Sequence, residues 1–283
     1  MKSFKGKAIY NPSGKAGEYS YWACNFYVGC SNGCTYCYCK KGILAGAMGQ
    51  NEPQLKKCFK DKYKAFDIYL KELESNIEEL KKHSLFFSFS TDPMLDKTID
   101  LTLDAALNAA MLDIPVKILT KRAEWVDEFL NNFDRHEINI YSEIYGESLF
   151  ETKKHLWAFG FTLTGHDELE PGASTNTERI EAMRKLHEAG FKTFASIEPV
   201  IDILTSTSMI SKTLECCDLY KIGLESGRKY DKGKLVRFVY DVLLLTEAYG
   251  NKVYFKDSLL KAAGINRTEL FENCVNRDYQ MFQ

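Results

Sequence analysis

The sequence predicts an α/β chain whose parallel strands are joined by helical crossovers and curl into a full or partial barrel. Three observations predict it. Apolar runs of strand character alternate with amphipathic stretches of helical period about six times after residue 23. The chain has 283 residues, 45% apolar and 27% charged, with no low-complexity tract; two small domains would fit that length, but α/β barrels routinely use it for one. Polar residues gather where the predicted strands end, the face on which barrel enzymes collect their reacting groups.

In chain order, residues 1–22 contain Asn11-Pro12, Gly14 and Gly17 and read as an irregular N-terminal arm. Residues 23–225 read as the barrel core and 226–283 as a helical extension packed on it. Ala23 to Val28 alternates and predicts a short strand running into a cysteine-bearing loop. Gly42 to Pro53, rich in Gly and Ala, reads as a mobile cover. Phe66, Tyr69, Leu70, Leu73, Ile77 and Leu80 recur at helical spacing and predict one long helix from Asp61 to His83. A buried strand at Leu85 to Phe89 stops at Ser90-Thr91-Asp92-Pro93.

The pattern then repeats. Ile99, Leu103, Ala106, Leu107 and Ala110 mark a helix, Val116 to Leu119 a strand, and Thr120-Lys121-Arg122 its polar end. Trp125 to Phe133 reads as helix, and Ile138 to Tyr145 as a strand or an insertion. Phe159 to Thr164 is a strand, followed by the acidic loop His166 to Pro171. Thr175-x-x-Glu178 is a capping box; Ile180, Met183 and Leu186 form the stripe behind it and Gly190 the stop. Strand Thr193 to Ile197 ends in Glu198-Pro199, helix Leu204 to Cys216 leads to strand Leu219 to Ile222, and a last clear helix runs from Lys234 to Tyr249. A further short strand is open at Val253 to Phe255.

With 37 basic and 39 acidic residues the formal net charge is -2, so no global field draws the chain to nucleic acid or to an anionic membrane. Met1 to Tyr10 is basic but lacks the apolar core of a signal peptide, and no apolar run is long enough to span a bilayer. A cytoplasmic location with free thiols is the expectation.

The chemical demand sits in Gly29-Cys30-Ser31-Asn32-Gly33-Cys34-Thr35-Tyr36-Cys37-Tyr38. Thiols spaced Cys-x3-Cys-x2-Cys on a loop broken by Gly29 and Gly33 can converge on one inorganic cluster, and a four-iron cluster held by three thiolates leaves one iron open. Zinc would want a fourth ligand, and no second Cys-x2-Cys or His-x3-His occurs. A disulfide framework suits neither nine cysteines nor this chain length. Cys24, Cys58, Cys216, Cys217 and Cys274 stand singly or adjacent among apolar residues and read as buried, inert thiols.

This spacing, with the aromatic Tyr36 inside the second cysteine pair, resembles the signature of radical S-adenosylmethionine (SAM) enzymes. More narrowly, over residues 17–225, the chain resembles the spore-photoproduct-lyase-like proteins, also called DNA repair photolyase-like. The resemblance is carried by the cysteine loop, Ser90-Thr91-Asp92-Pro93, Thr120-Lys121, Glu170-Pro171-Gly172-Ala173 before Arg179, and Glu198-Pro199-Val200. It implies a partial (β/α)6 radical SAM barrel with outer helices, a [4Fe-4S] cluster on Cys30, Cys34 and Cys37, and SAM chelating the open iron. It further implies reductive cleavage of SAM to methionine and a 5'-deoxyadenosyl radical, with the electron coming from an external donor of flavodoxin or ferredoxin type.

By the same resemblance Tyr36 lies near the adenine, Ser90, Thr91 and Asp92 serve the amino group of SAM, and Lys121 approaches its carboxylate. Thr162 faces the ribose or carboxylate. Arg179 reaches that carboxylate or pairs with Glu178 or Glu181. Glu198 projects at the barrel mouth, where pairing with Lys121 would lower its pKa and burial would raise it. His166, Asp167 and Glu168 line the substrate side or are simply solvated. One departure counts against lesion repair: the lyase draws hydrogen from a cysteine just before its Ser/Thr-Asp turn, where this chain has Phe89. The expected function is hydrogen abstraction from an unidentified substrate. A nucleic-acid lesion repair or modification enzyme and a non-catalytic zinc-binding interaction module are its alternatives.

Overall fold

The strand-helix alternation becomes one eight-stranded sheet. The computed structural model describes residues 3–131 and 152–282. Its strands are β1 (Ile9–Tyr10), β2 (Ala23–Cys24), β3 (Tyr27–Val28), β4 (Gln54–Leu55), β5 (Leu85–Phe87), β6 (Val116–Thr120), β7 (Trp157–Thr162), β8 (Lys192–Val200), β9 (Leu219–Leu224) and β10 (Lys252–Phe255). The sheet order is β1-β2-β5-β6-β7-β8-β9-β10, and β3 pairs with β4 apart from it. Within the eight-stranded sheet every pair from β2 to β10 is parallel and β1 runs antiparallel to β2; the separate β3–β4 pair is antiparallel. The sheet is an open α/β one whose edges, β1 and β10, are not joined.

Alternation of side chains along each strand splits the apolar residues between two faces. Phe87, Ile118, Phe159, Phe161, Ile197, Ile222 and Phe255 belong to the larger core under the helices. Phe86, Ala158, Phe194, Leu219 and Tyr254 turn to the inner face, with Tyr19 and Met281. Burial on both faces is why these strands read as near-continuous apolar runs. Gly160 belongs to the inner face as well: a Cβ there would stand 2.2 Å from the Phe194 ring, so only glycine lets that ring lie across β7.

The helices are α1 (Gly14–Gly17), α2 (Leu44–Met48), α3 (Lys62–Glu74), α4 (Ile77–His83), α5 (Ile99–Met111), α6 (Asn176–Glu188), α7 (Ile203–Ser211), α8 (Lys232–Glu247) and α9 (Asp257–Ala263). The capping box of α6 forms as its sequence requires, Thr175 and Glu178 each bonding the other's backbone N–H. Among the described residues no helix is long and apolar enough to cross a membrane.

Several elements differ from the expectation. The single helix over 61–83 is two, because the Ser75 hydroxyl bonds to the Lys71 carbonyl at 2.6 Å and the Asn76 amide to the Glu72 carbonyl at 2.7 Å, ending α3 there. Ala23 to Val28 is likewise two strands, since β2 pairs with β5 and β3 with β4. The 226–283 extension is not purely helical: its β10 joins the sheet beside β9. Gly42 to Pro53 forms α2, which buries none of its side chains. Helix is present at 126–131. The run from Ile138 to Tyr145 and the end of the helix expected at Phe133 lie outside the described residues.

The gap between the edges is crossed by the arm and by the last described residues. Glu18 Oε2 accepts from the Tyr254 hydroxyl at 3.1 Å and the Asp257 N–H at 2.9 Å. The Arg277 guanidinium lies 4.4 Å from the centre of the Tyr21 ring, whose hydroxyl donates to Asp278. Met281 is buried on the inner face.

Candidate functional site

The cysteine loop leaves β3 and is held from two sides. Gly29 adopts φ +82° and Gly33 φ +68°, conformations that glycine alone takes without strain. A Cβ on Gly29 would stand 2.4 Å from the Glu52 carbonyl, and the Cys30 N–H donates to the Gln50 carbonyl at 3.0 Å. On the other side Thr35 N–H donates to Leu169 O at 2.9 Å and Gly172 N–H to Asn32 O at 2.9 Å. Gly172 permits this approach, since a Cβ there would lie 2.3 Å from the Ser31 carbonyl.

Asp92, at the polar end of β5, ties the loop to the sheet. Its carboxylate accepts from Asn32 Nδ2 at 2.7 Å, the Lys121 N–H at 2.8 Å, the Met94 N–H at 3.0 Å and Thr120 Oγ1 at 2.6 Å. The other end of the Asn32 amide, Oδ1, is buried without a partner among the described residues.

All three cysteines are free thiols; Cys34 is buried and Cys30 and Cys37 are half-buried, while of the five thiols expected to be buried Cys24, Cys216 and Cys217 are, Cys274 is half-buried and Cys58 is exposed. Burial lifts Cys30 to about 11 and raises Cys34 against the opposing pull of Lys121. Cys37 falls to about 6, chiefly because the Cys39 thiol hydrogen-bonds to it, with backbone donors and Lys121 overcoming the effect of burial. Among the described residues no three His, Cys, Asp or Glu side chains converge on one point as a single metal ion would require. A four-iron cubane does not require it, because each iron takes its own thiolate.

Lys121, Tyr36 and Thr162 stand together beside this loop. Lys121 Nζ donates to Thr162 Oγ1 at 3.4 Å and lies 5.7 Å from the centre of the Tyr36 ring. Burial pulls the Lys121 ammonium down, but Cys34, Glu170 and Asp92 outweigh it and hold the group above its ordinary value. Burial and the Glu170 carboxylate, which accepts from its hydroxyl, keep the Tyr36 phenol protonated.

Other expected contacts are committed elsewhere. Arg179 has its side chain fully buried and pairs with Glu170, not with Glu178 or Glu181; it also donates to Thr162 O and, at 2.9 Å, to Ser174 O. The Ser90 hydroxyl donates to Tyr27 O, while Thr91 Oγ1 makes a long 3.5 Å contact with Asp92 O. Glu198 turns to Lys256, at 2.8 Å, and not to Lys121. His166 sits between Glu168 and Asp202, and Asp167 accepts both donors of Asn176 at the start of α6. Reading the sequence missed Glu170 as the shared partner of Tyr36 and Arg179, and missed Lys256; the signal for Lys256 is its place at the end of β10.

A family model described as "Radical SAM superfamily" matches residues 24–205. No curated protein matches the sequence. Among solved structures, Streptococcus suis SuiB bound to S-adenosylmethionine is 13% identical, with a TM-score of 0.49 and 85% of this chain and 51% of that chain covered. A second structure of Streptococcus suis SuiB is 15% identical, with a TM-score of 0.43 and 75% and 46% covered. The chain thus spans about half the length of these neighbours. The family match takes in the cysteine loop and the strand ends around it, and the chain belongs to the radical SAM superfamily.

Proposed function

We propose that the protein is a radical SAM enzyme in which Cys30, Cys34 and Cys37 hold a [4Fe-4S] cluster and SAM completes it, the product radical abstracting hydrogen from a substrate. The observation that carries this reading is the half-buried Lys121 ammonium, set against Thr162 and the Tyr36 ring beside a loop of three free thiols. The donor set fits the group: a cluster of thiolates is anionic, and Lys121 offsets that charge. The cluster and SAM together supply an electron and a sulfonium whose cleavage gives methionine and a 5'-deoxyadenosyl radical.

Within this reading the chain's own residues divide into two sets. Lys121 draws the carboxylate of SAM by charge, Thr162 offers a hydroxyl beside it, and the Tyr36 ring offers a flat apolar face to the adenine. Thr91 is the strand-end hydroxyl with a single weak contact and serves the amino group. Asp92, Ser90 and Arg179 position these groups, since their polar atoms are already spent on the protein. Glu198 belongs with Lys256, away from this set. The electron comes from a small external carrier of flavodoxin or ferredoxin type.

A second reading, a spore-photoproduct-lyase-like repair enzyme, is favoured by one contact. The Cys39 thiol lies 3.7 Å from the Phe89 carbonyl, so a sulfur stands near the strand end where the resembling family has its donor cysteine. In this reading Cys39, whose thiol proton exchanges with solvent, returns a hydrogen atom to the product radical, so wild type in heavy water gives deuterated product and Cys39→Ser gives less.

The test is anaerobic reconstitution with iron and sulfide, then dithionite and SAM. A brown protein that yields 5'-deoxyadenosine, with Cys34→Ala yielding none, is the expected result. Equal yields from the two proteins would sink the proposal.

A further inference from the structure

The inner face of the sheet carries a charge set that the cysteine loop does not use. Lys117 on β6 is 6% exposed and Lys221 on β9 is 8% exposed. Lys256, after β10, is buried with them but is matched by Glu198. Lys221 has one hydrogen bond, from Nζ to the Tyr19 carbonyl at 2.6 Å, and lies 5.1 Å from the centre of the Tyr19 ring. Lys117 has no hydrogen-bond or ion-pair partner among the described residues, and burial alone pushes its ammonium down to about 8. Lys117 therefore faces the inside of the sheet with no partner among the described residues, and Lys221 with one carbonyl and the field of Glu198, amid the aromatic side chains of Tyr19, Phe86 and Tyr254.

A lysine buried without a partner destabilises the fold, because desolvation of its charge is not repaid. Methionine would fill much the same space without that cost. The same low-dielectric surroundings strengthen attraction to any anion that enters. Burial, and then repulsion from Lys117 and Lys256, drive Lys221 well below its ordinary value, with Glu198 opposing; an arriving anion would reverse that balance.

We propose that the inner face binds an anionic group of the substrate, a carboxylate or a phosphate monoester, between Lys117 and Lys221. This deepens the radical SAM reading and rests on it for the word substrate; the anion site itself stands on the lysines. Lys121 is distinct from this pair, being compensated by Asp92, Glu170 and Cys34.

The full chain is titrated with inorganic phosphate and, separately, with acetate, at constant ionic strength in chloride, by calorimetry. Saturable binding is expected for wild type and for the exposed-site control Lys234→Met. At least a tenfold loss is expected in Lys117→Met and in Lys221→Met, and the anion that binds more tightly identifies the class. Lys117→Met should also melt no lower than wild type, which a structural lysine would not do, and Lys117→Gln repeats the test if methionine perturbs folding. Absence of saturable binding, equal binding in both inner variants, or loss confined to Lys121→Met would overturn the proposal. 5'-Deoxyadenosine formation is measured on the same preparations. Cleavage of SAM without anion binding overturns this site alone, and anion binding without cleavage overturns the enzyme reading while keeping the site.

Discussion

The Arg179–Glu170 pair lies with both side chains fully buried, between the cysteine loop and the sheet. Such pairs add little net stability while intact, but removing one member strands the other charge. Arg179→Met is expected to lower the unfolding free energy by roughly 3–5 kcal/mol, measured by urea denaturation. His166 behaves differently because water reaches it. Its partial burial lowers its pKa, but bonds to Glu168 and Asp202 outweigh that and raise it. The stabilisation it gives is therefore complete below the unfolded value of about 6.5 and is lost as pH rises through the higher folded value. Glu168 and Asp202, both depressed, act in the opposite sense and lose their contribution as pH falls through their folded values. The melting-temperature difference between wild type and His166→Gln should thus be largest in mildly acidic buffer and fade above neutrality. At this scale the sequence was legible where the chain is local: the three cysteines within eight residues stand on one loop bent at Gly29 and Gly33, as their spacing suggested. Pairings across the fold were not. Glu178 and Glu181 adjoin Arg179 in the chain, yet the fold hands the guanidinium to Glu170, and Glu198 finds Lys256, 58 residues away.

Between elements, the decisive contact is that of the cysteine loop with the 169–172 turn. Gly172→Ala would place a methyl against the Ser31 carbonyl, where backbone faces backbone and neither side has a flexible end to yield. The expected outcome is a folded protein, unchanged in far-ultraviolet dichroism, that takes up several-fold less iron on reconstitution. Elements with one strong period were readable in advance: α5, α6 and the central strands each follow a single repeat. Junctions were harder. The apolar stripe of α3 and α4 continues through Ser75 and Asn76, so periodicity predicts one helix, whereas two side chains capturing backbone carbonyls decide for two. Likewise the pattern over residues 23–28 cannot tell that its two ends pair with different partners.

For the whole molecule, the open sheet makes the arm and the last described residues part of its inner wall. A chain stopped after Val275 loses Met281 from the inner cluster and Asp278 from Tyr21. It should unfold more easily by roughly 2–4 kcal/mol, read from urea midpoints, since burial of one large apolar side chain gives about 1.5–3 kcal/mol. Parallel strands were foreseeable from the alternation, and the partial barrel implied by the resemblance allows for an unclosed seam; which two strands form its edges was not legible, because no local pattern records it. The loop that carries the thiols is gripped by residues 50–52 on one side and 169–172 on the other. A nascent polypeptide synthesised only as far as β7 would already display the three thiols of the loop and still lack half of what orients them. If the loop holds the cluster proposed for it, iron delivery would have an earliest useful moment in the life of the molecule, set by the arrival of a turn more than a hundred residues downstream of the cysteines.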